Sequence, residues 1–372
     1  MKKTMLFISF EHIEFRRRVL NQIETAQNMG FNVRVISISK YDIINQKHTF
    51  DYSAISLPDF FKHGIIAYPV FNFILLIKII FKKYDVIHFR GIIPIPALLI
   101  RQWFNKSALI YDAHEYFRGH QIFENRPIRR AVWMWFEQKI VYCVHTLITV
   151  SEPLAELFKR DYPDTKAIRV IRSLPSLNSI QTAVNNNNFV EKRVIFHGYF
   201  LPGRALINII QAAAIIKDDS IKFLLIGTGP LEKQLKNKVS QLKLDHKIRF
   251  HPLIENEQLI GYISAAKLGL VLSEPDSINR TYALPNKFFE YIHAGLPVLA
   301  GNIPTLQHNV DHYQVGQTVD PSDIKAIAQK IELMLADESQ LTRWRKNCAK
   351  AALELNWEKE SEKLKQIYSK LL

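Results

Sequence analysis

The sequence predicts an α/β fold of two successive doubly wound domains, each a parallel sheet covered by helices on both faces. Three observations carry that expectation. Apolar runs of four to six residues alternate with longer amphipathic stretches, the pattern of strand–helix–strand units. The alternation breaks once, at the polar segment Ser176 to Asn188 with its four closing asparagines, and then restarts. The chain also has 372 residues, above the size at which a single core keeps growing.

Taken in order, Met5–Ser9 reads as a strand, followed by a helix over about 15–29 that stops at Gly30. Strand Val33–Ser37 precedes an apolar helix over Ile65–Phe81. Then come strand Val86–Phe89, helix Ile95–Phe104, strand Leu109–Asp112, a long helix centred on Val132–Val141 and strand Thr146–Val150. After the polar segment the expected strands are Val194–His197, Lys222–Gly227, Ile248–His251, Leu268–Leu272 and Pro297–Ala300. Helices Leu206–Ile216, Leu231–Leu242, Gln258–Ala265 and Lys287–Ala294 lie between them. Two more follow Pro321, over 322–336 and within 338–354, and Trp357 to Leu371 has apolar residues at helical spacing. Two such domains imply a cleft, with ligands expected beyond the carboxyl ends of the strands.

Composition narrows the class. The 48% hydrophobic fraction is that of a globular chain. Cys143 and Cys348 stand far apart, with no C-x-x-C or Cys/His cluster, which fits a reducing compartment and gives no support for structural zinc or disulfides. The formal net charge is +14, and residues 1–180 hold 25 Lys/Arg against 15 Asp/Glu, a balance of +10. That excess suits an anionic membrane face or phosphorylated substrates. Dispersed basic residues and the lack of a recognition module argue against nucleic acid. The apolar start stops within six residues and is followed by Glu11, Glu14 and three arginines, so it reads as a strand and not a signal peptide. Pro69, Asn72 and Lys78 interrupt Ile65–Phe81, which reads as a buried or interfacial helix.

Several loops carry candidate chemistry. G-T-G-P at 227–230 follows a strand and precedes a helix, where small Gly227 and Gly229 let backbone N–H groups approach a phosphate, or simply make the turn. In H-G-Y-F-L-P-G-R-A-L, residues 197–206, Arg204 opens a helix, where the dipole slightly disfavours a cation; either a phosphate shares the site or the arginine is a solvated surface one. Lys287 also lies in a first helical turn, with Glu290 three residues on along the same face. One carboxylate accepts two ribose hydroxyls while the lysine faces a diphosphate; the plain alternative is an intrahelical pair. In Y-D-A-H-E, His114 follows a strand end, placed either to orient a hydroxyl or to cap a turn. No D-x-D, G-x-S-x-G or H-E-x-x-H occurs, so leaving-group charge falls to cations and helix N-termini, with neither metal nor cofactor expected.

These loops, in this order, resemble the retaining GT-B glycosyltransferases of family four. The likeness covers essentially the whole chain and is strongest over Val194–Ala300, in the Gly198–Arg204 loop, I-G-T-G-P, I-R-F-H-P-L, A-A-K-L-G-L-V-L and L-P-N-K-F-F-E-Y-I-H-A-G-L-P-V-L-A. It implies two Rossmann-like domains over 1–175 and 191–354, a linker at 176–190, and a last helix, 355–372, that returns to the first domain. It also implies a nucleotide-sugar donor held by the second domain, with Gly198, Gly227 and Gly229 around it. Glu290 would bind the ribose as the later glutamate of the E-x(7)-E motif. Arg204 would face the diphosphate, the backbone at Asn286 and Lys287 would support it, and His114 would lie near the sugar. Y-D-A-H-E, with Glu115, resembles the acceptor-side motif. Three departures stand out. The earlier glutamate falls on Tyr282, with Glu274 a substitute that does not align. The arginine that the family has just after the loop glycine falls on Tyr199, leaving Lys287 to compensate. S-F-E-H-I-E-F-R-R-R replaces the first glycine-rich loop, offering Arg16 and Arg17, with Arg18, either to a phosphorylated acceptor or to water. The implied activity is metal-independent hexosyl transfer from a UDP- or GDP-sugar to a glycan or lipid-linked glycan, in the cytoplasm and peripheral on the inner face of the plasma membrane. A non-catalytic sugar-binding scaffold and a sugar-nucleotide epimerase are the rivals.

Overall fold

The computed structural model describes residues 2–13, 16–38, 50–57, 66–123, 125–177, 192–254, 256–282 and 284–372. The expected linker falls almost wholly outside them. The chain divides into two compact units, residues 1–173 with 360–372, and residues 174–359.

The first unit holds a seven-stranded parallel sheet: β1 Thr4–Ser9, β2 Asn32–Ile38, β3 Asp51–Ile55, β4 Val86–Arg90, β5 Ala108–Asp112, β6 Thr146–Thr149 and β7 Ile168–Val170. Their spatial order is β3-β2-β1-β4-β5-β6-β7. Helices α1 Arg17–Asn28, α2 Ala67–Ile79, α3 Ile95–Phe104, α4 Pro127–Val141 and α5 Glu152–Asp161 connect them. β1 and β4 are buried almost end to end, which is why their apolar runs are continuous and not alternating. The sequence reading passed over β3, β7 and α5. β3 and β7 are edge strands, half-polar and without an apolar run. The helix had a signal, since Ser151 accepts from Leu154 N and Pro153 sits in the first turn.

The second unit orders its parallel strands β10-β9-β8-β11-β12-β13. They are β8 Lys192–His197, β9 Ile221–Ile226, β10 Ile248–His251, β11 Leu268–Val271, β12 Val298–Gly301 and β13 Gly316–Val319. The helices are α6 Leu206–Ile215, α7 Glu232–Gln241, α8 Asn256–Ile263, α9 Ile278–Tyr282, α10 Asn286–His293, α11 Pro304–Tyr313, α12 Ile324–Ala336, α13 Glu338–Ala352 and α14 Trp357–Ser369. Alternate residues of β8 feed two cores, Val194 and Phe196 under α6 and α12, Ile195 under α10 and α11. β13, α9 and α11 were not expected; β13 is a short, polar edge strand. The last helix begins in the second unit, where Trp357 N donates to Pro175 O (2.8 Å), and belongs to the first from Glu360 onward.

Charge is buried at the carboxyl ends of the first sheet. Arg18 grips Asp112 with two hydrogen bonds, Nε to Oδ2 at 3.1 Å and Nη2 to Oδ1 at 2.8 Å, and donates to Ile171 O at 2.5 Å. Gln22 donates to the same carboxylate. Burial pushes the Asp112 carboxyl up, but Arg18 and then Arg90 outweigh it and hold it far below the ordinary range. The expectation of Arg18 as a surface or acceptor-binding cation is thereby corrected. The last helix joins the same unit through Glu360, which accepts from Arg172 Nη2 (3.0 Å) and N (2.8 Å), and Tyr368, bonded to His88 Nδ1 (2.8 Å).

In the second sheet β8 starts the fold, and the strand order runs from it both ways, so β8 and β11 flank the switch point. β11 pairs with β8 only at Leu268 and Gly269. Beyond that, Tyr291 of α10 takes over. Its hydroxyl accepts from His197 N and donates to Ile195 O, each at 3.2 Å. Gly269 makes room, because a Cβ there would stand 2.6 Å from the Tyr291 ring.

Asp112→Asn leaves Arg18 buried without its counter-charge and is expected to cost about 3–5 kcal/mol in chemical denaturation. Because the native carboxyl titrates below the unfolded one, the wild-type margin is full above the ordinary aspartate value, about 3.9, and falls with pH below it. The variant should lack that acid-dependent loss. Tyr291→Phe strands one buried N–H and one C=O and should cost about 1–3 kcal/mol; an unchanged denaturation midpoint would show that water replaces the hydroxyl.

Candidate active site

The second unit gathers cations over the end of β8. Gly198, at φ +121°, ties its N–H to Ile226 O at 2.9 Å. A Cβ on it would stand 3.2 Å from Arg204 Nη1 and 3.7 Å from Lys287 Nζ. Two cations from separate segments of the unit therefore lie beside one bare α-carbon. Arg204 is anchored by Nη1 donating to Tyr199 O at 2.6 Å. Lys287 lies over the Phe196 ring, 4.0 Å from its centroid. Burial, then the Arg204 charge, hold the lysine well below its ordinary pKa, with Glu290 opposing. Burial and Arg280 lower Arg204 in turn.

Glu290 sits one turn on from Lys287, and its Oε2 is 3.2 Å from His197 Nε2, off the direction of a hydrogen bond. That contact is not an ion pair. Burial, followed by Lys287 and Arg204, pushes His197 down to about 3, so its ring is neutral. Sequence reasoning missed His197, Arg280 and Tyr291. His197 opens the very loop that was singled out, but nothing in its neighbours marks it. Arg280 packs on Gly203, pairs with Asp276 and faces Arg204.

The glycines of G-T-G-P are accounted for by packing. A Cβ at Gly227 would strike Gly198 O, and one at Gly229 would lie 2.6 Å from Phe200 O. Phe200 N also donates to Thr228 O at 2.8 Å, so the two loops lie backbone to backbone. Their smallness seats one loop on the other, and so supports Gly198 and Arg204. Glu274 reaches the same loop through its N–H, which donates to Gly203 O at 3.1 Å. It stands with Gly203 and Arg280, while Glu290 stands with His197. Tyr282 ends α9, half-buried, two residues from Arg280. Asn286 is the exposed first residue of α10, whose start has no side-chain cap. Arg204, Lys287, Gly198, Glu290 and the open end of α10 thus form one group, suited to an anion beside a hydroxyl-rich moiety.

In the first unit Glu11 accepts from Arg90 Nε at 2.7 Å and meets Arg16 at 3.1 Å. Burial and the Arg90 charge push His114 down to about 4, and its Nδ1 is buried without a hydrogen-bond partner among the described residues. Glu115 is raised by burial, but its bond to His120 and the His114 charge bring it down to about 2; the His120 contact is 3.3 Å. His114, Glu115 and Arg16 therefore belong to one charged neighbourhood around Arg90. Arg17 is half-buried at the start of α1. No group of three or more His, Cys, Asp or Glu side chains among the described residues is arranged to hold a metal ion.

With this geometry in hand, residues 16–173 match the family model "Glycosyltransferase Family 4" and residues 180–351 match "Glycosyl transferases group 1". The chain is 20% identical to the 2-deoxystreptamine N-acetyl-D-glucosaminyltransferase of Niallia circulans, over 69% of each chain. It is also 20% identical to the amylovoran biosynthesis glycosyltransferase AmsK of Erwinia amylovora, over 88% of this chain and 89% of that one. Among solved structures, Anabaena HepE in complex with UDP and glucose superposes with a TM-score of 0.75 at 15% identity, over 99% of this chain and 100% of that one. Two parallel doubly wound sheets, the first in a family 4 domain and the second in a group 1 domain, make this chain a GT-B glycosyltransferase.

Proposed function

We propose that the chain moves a hexosyl group from a UDP- or GDP-sugar to an acceptor hydroxyl, with retention and without metal, as a step in assembling a surface polysaccharide. The observation that carries this reading is the convergence of Arg204 and Lys287 on Gly198, with Glu290 one helical turn away. Two half-buried cations repelling each other are stabilised by a dianion between them, and a nucleoside diphosphate supplies one. The UDP and glucose held by HepE and the amylovoran role of AmsK favour the same substrate classes.

On this reading Glu290 accepts the ribose hydroxyls. Arg204, Lys287 and the uncapped amides of α10 take up charge as the bond between the sugar C1 and the diphosphate oxygen breaks. The acceptor oxygen forms the new bond to C1 on the same face, and its proton passes to the departing diphosphate. The acceptor is assigned to the first unit, at the Glu11–Arg90–His114 neighbourhood.

Thermal shift against UDP-, GDP-, ADP- and CMP-sugars with chelator present should give one responder. The response should vanish in Glu290→Ala, while Arg204→Ala should cut kcat/KM by about 10²–10³. The product's anomeric proton should report the donor's own configuration; inversion, or silence across the four donors, overturns the reading. Burial and Arg204 hold the Lys287 pKa below its ordinary value, and a diphosphate beside it raises that pKa again. Binding should therefore take up a proton and weaken as pH rises from neutral toward the ordinary lysine value, about 10.4. Titration calorimetry in buffers of different ionisation enthalpy measures that uptake, and Lys287→Met should abolish it.

A further inference from the structure

In the first sheet the parallel register sets Phe7 of β1 beside His88 of β4, and Ser9 beside Arg90. Paired residues of parallel strands point to one face, and alternate residues share it, so these four side chains stand together. Helix α1 covers them with Val19 and Gln22, and Ile13 adds an apolar wall from the segment after β1. Between them lies a cavity of about 10 Å³, room for a single water molecule and nothing larger.

Three of the residues lining it carry a buried polar atom with no hydrogen-bond partner among the described residues: Ser9 Oγ, His88 Nε2 and Arg90 Nη1. Ser9 and His88 are 3% and 2% exposed, out of reach of bulk solvent. Their neighbours are already committed. His88 Nδ1 is bonded to Tyr368 Oη on α14 at 2.8 Å, and burial pushes the imidazole down to about 4, so the ring is neutral. Arg90 Nε donates to Glu11 at 2.7 Å, while Nη1 stands 3.7 Å from Asp112, beyond a hydrogen bond. Gln22 donates its amide to Asp112. An apolar void stays dry, but bare polar groups around one are costly, and about three of them are what a buried water satisfies. A halide ion suits the space less well, since Glu11 and Asp112 already stand against the Arg90 charge.

We propose that one ordered water occupies this cavity, bonded to Ser9 Oγ, His88 Nε2 and Arg90 Nη1, and that it positions the Arg90 guanidinium. The water completes a chain from Tyr368 through His88 to Arg90 and Glu11. The last helix thereby helps to aim the arginine at the Glu11–His114 neighbourhood. Ser9, His88 and Tyr368 are positioning residues, acting through Arg90 and not on a substrate. The water site stands apart from the donor reading, whereas its effect on the acceptor rests on the assignment of the acceptor to that neighbourhood.

A crystal structure of the full chain that resolves ordered waters is expected to show one about 2.7–3.2 Å from all three atoms. Ser9→Val fills the space and should expel that water and turn the Arg90 side chain. The acceptor KM should then rise about tenfold, with kcat changed far less and the donor-sugar thermal shift unchanged. Ser9→Ala keeps the space and two of the three partners, so the water and most of the acceptor affinity should remain; it serves also where valine overpacks the fold. A cavity without water, a halide in its place, or a folded Ser9→Val that loses the water but leaves Arg90 and the acceptor KM unchanged overturns the proposal. If the wild type transfers no sugar at all, the donor reading fails, and the place of Arg90 with and without the water still decides this one.

Discussion

Two cations held against one bare α-carbon set the terms for the second unit. Gly198 occupies a left-handed conformation, a Cβ on it would crowd Arg204, and Lys287 lies beside it at ordinary contact distance. The arrangement is unfavourable by itself, since each positive charge is partly removed from water beside the other. It persists because its supports are rigid. Tyr291 stands in for the missing strand partner of β8, Gly269 admits its ring, and Gly227 and Gly229 let the neighbouring loop press on Phe200. On the proposed reading such a site would need no reorganisation for a diphosphate, which is the condition under which fixed charges contribute most to a departing group.

The first unit solves the opposite problem. Its Arg18–Asp112 pair is closed on itself, with Gln22 and the Ile171 carbonyl completing the bonds. Such a pair fixes the carboxyl ends of the strands but offers nothing to a ligand. Arg90 mediates between this closed network and the open one, standing 3.7 Å from Asp112 while donating to Glu11. His114 sits beyond it, kept neutral by burial and by Arg90. A neutral imidazole with a buried, unpartnered Nδ1 can orient a hydroxyl, whereas a charged one would add to the repulsion around Arg90.

Much of this was legible in the sequence because it depends on local pattern. Continuous apolar runs marked the buried strands, and cations in first helical turns marked Arg204 and Lys287 as misplaced unless an anion joined them. What escaped depends on pairing across the chain. β3, β7 and β13 are edge strands whose polar residues carry no run. Arg18 lies in a triplet with Arg16 and Arg17, and only the distant Asp112 separates it from them. His197, Arg280 and Tyr291 acquire meaning only once β8, α9 and α10 are brought together. The glycines of G-T-G-P show the reverse: their smallness was legible, but its use, one loop seated on another, was not.

Net charge illustrates the same division. The first 180 residues carry 25 Lys/Arg against 15 Asp/Glu, which suggests a broad attraction for anions. Burial sorts those cations by task. Arg18 neutralises Asp112, Arg101 caps the end of α2, and Arg90 pairs with Glu11. The cations left on the surface about α2, α3 and α4 face no exposed carboxylate from those helices, because Glu137 is committed inward to two tyrosines. The composition gives the sum, but only the fold shows which cations are committed inside the unit.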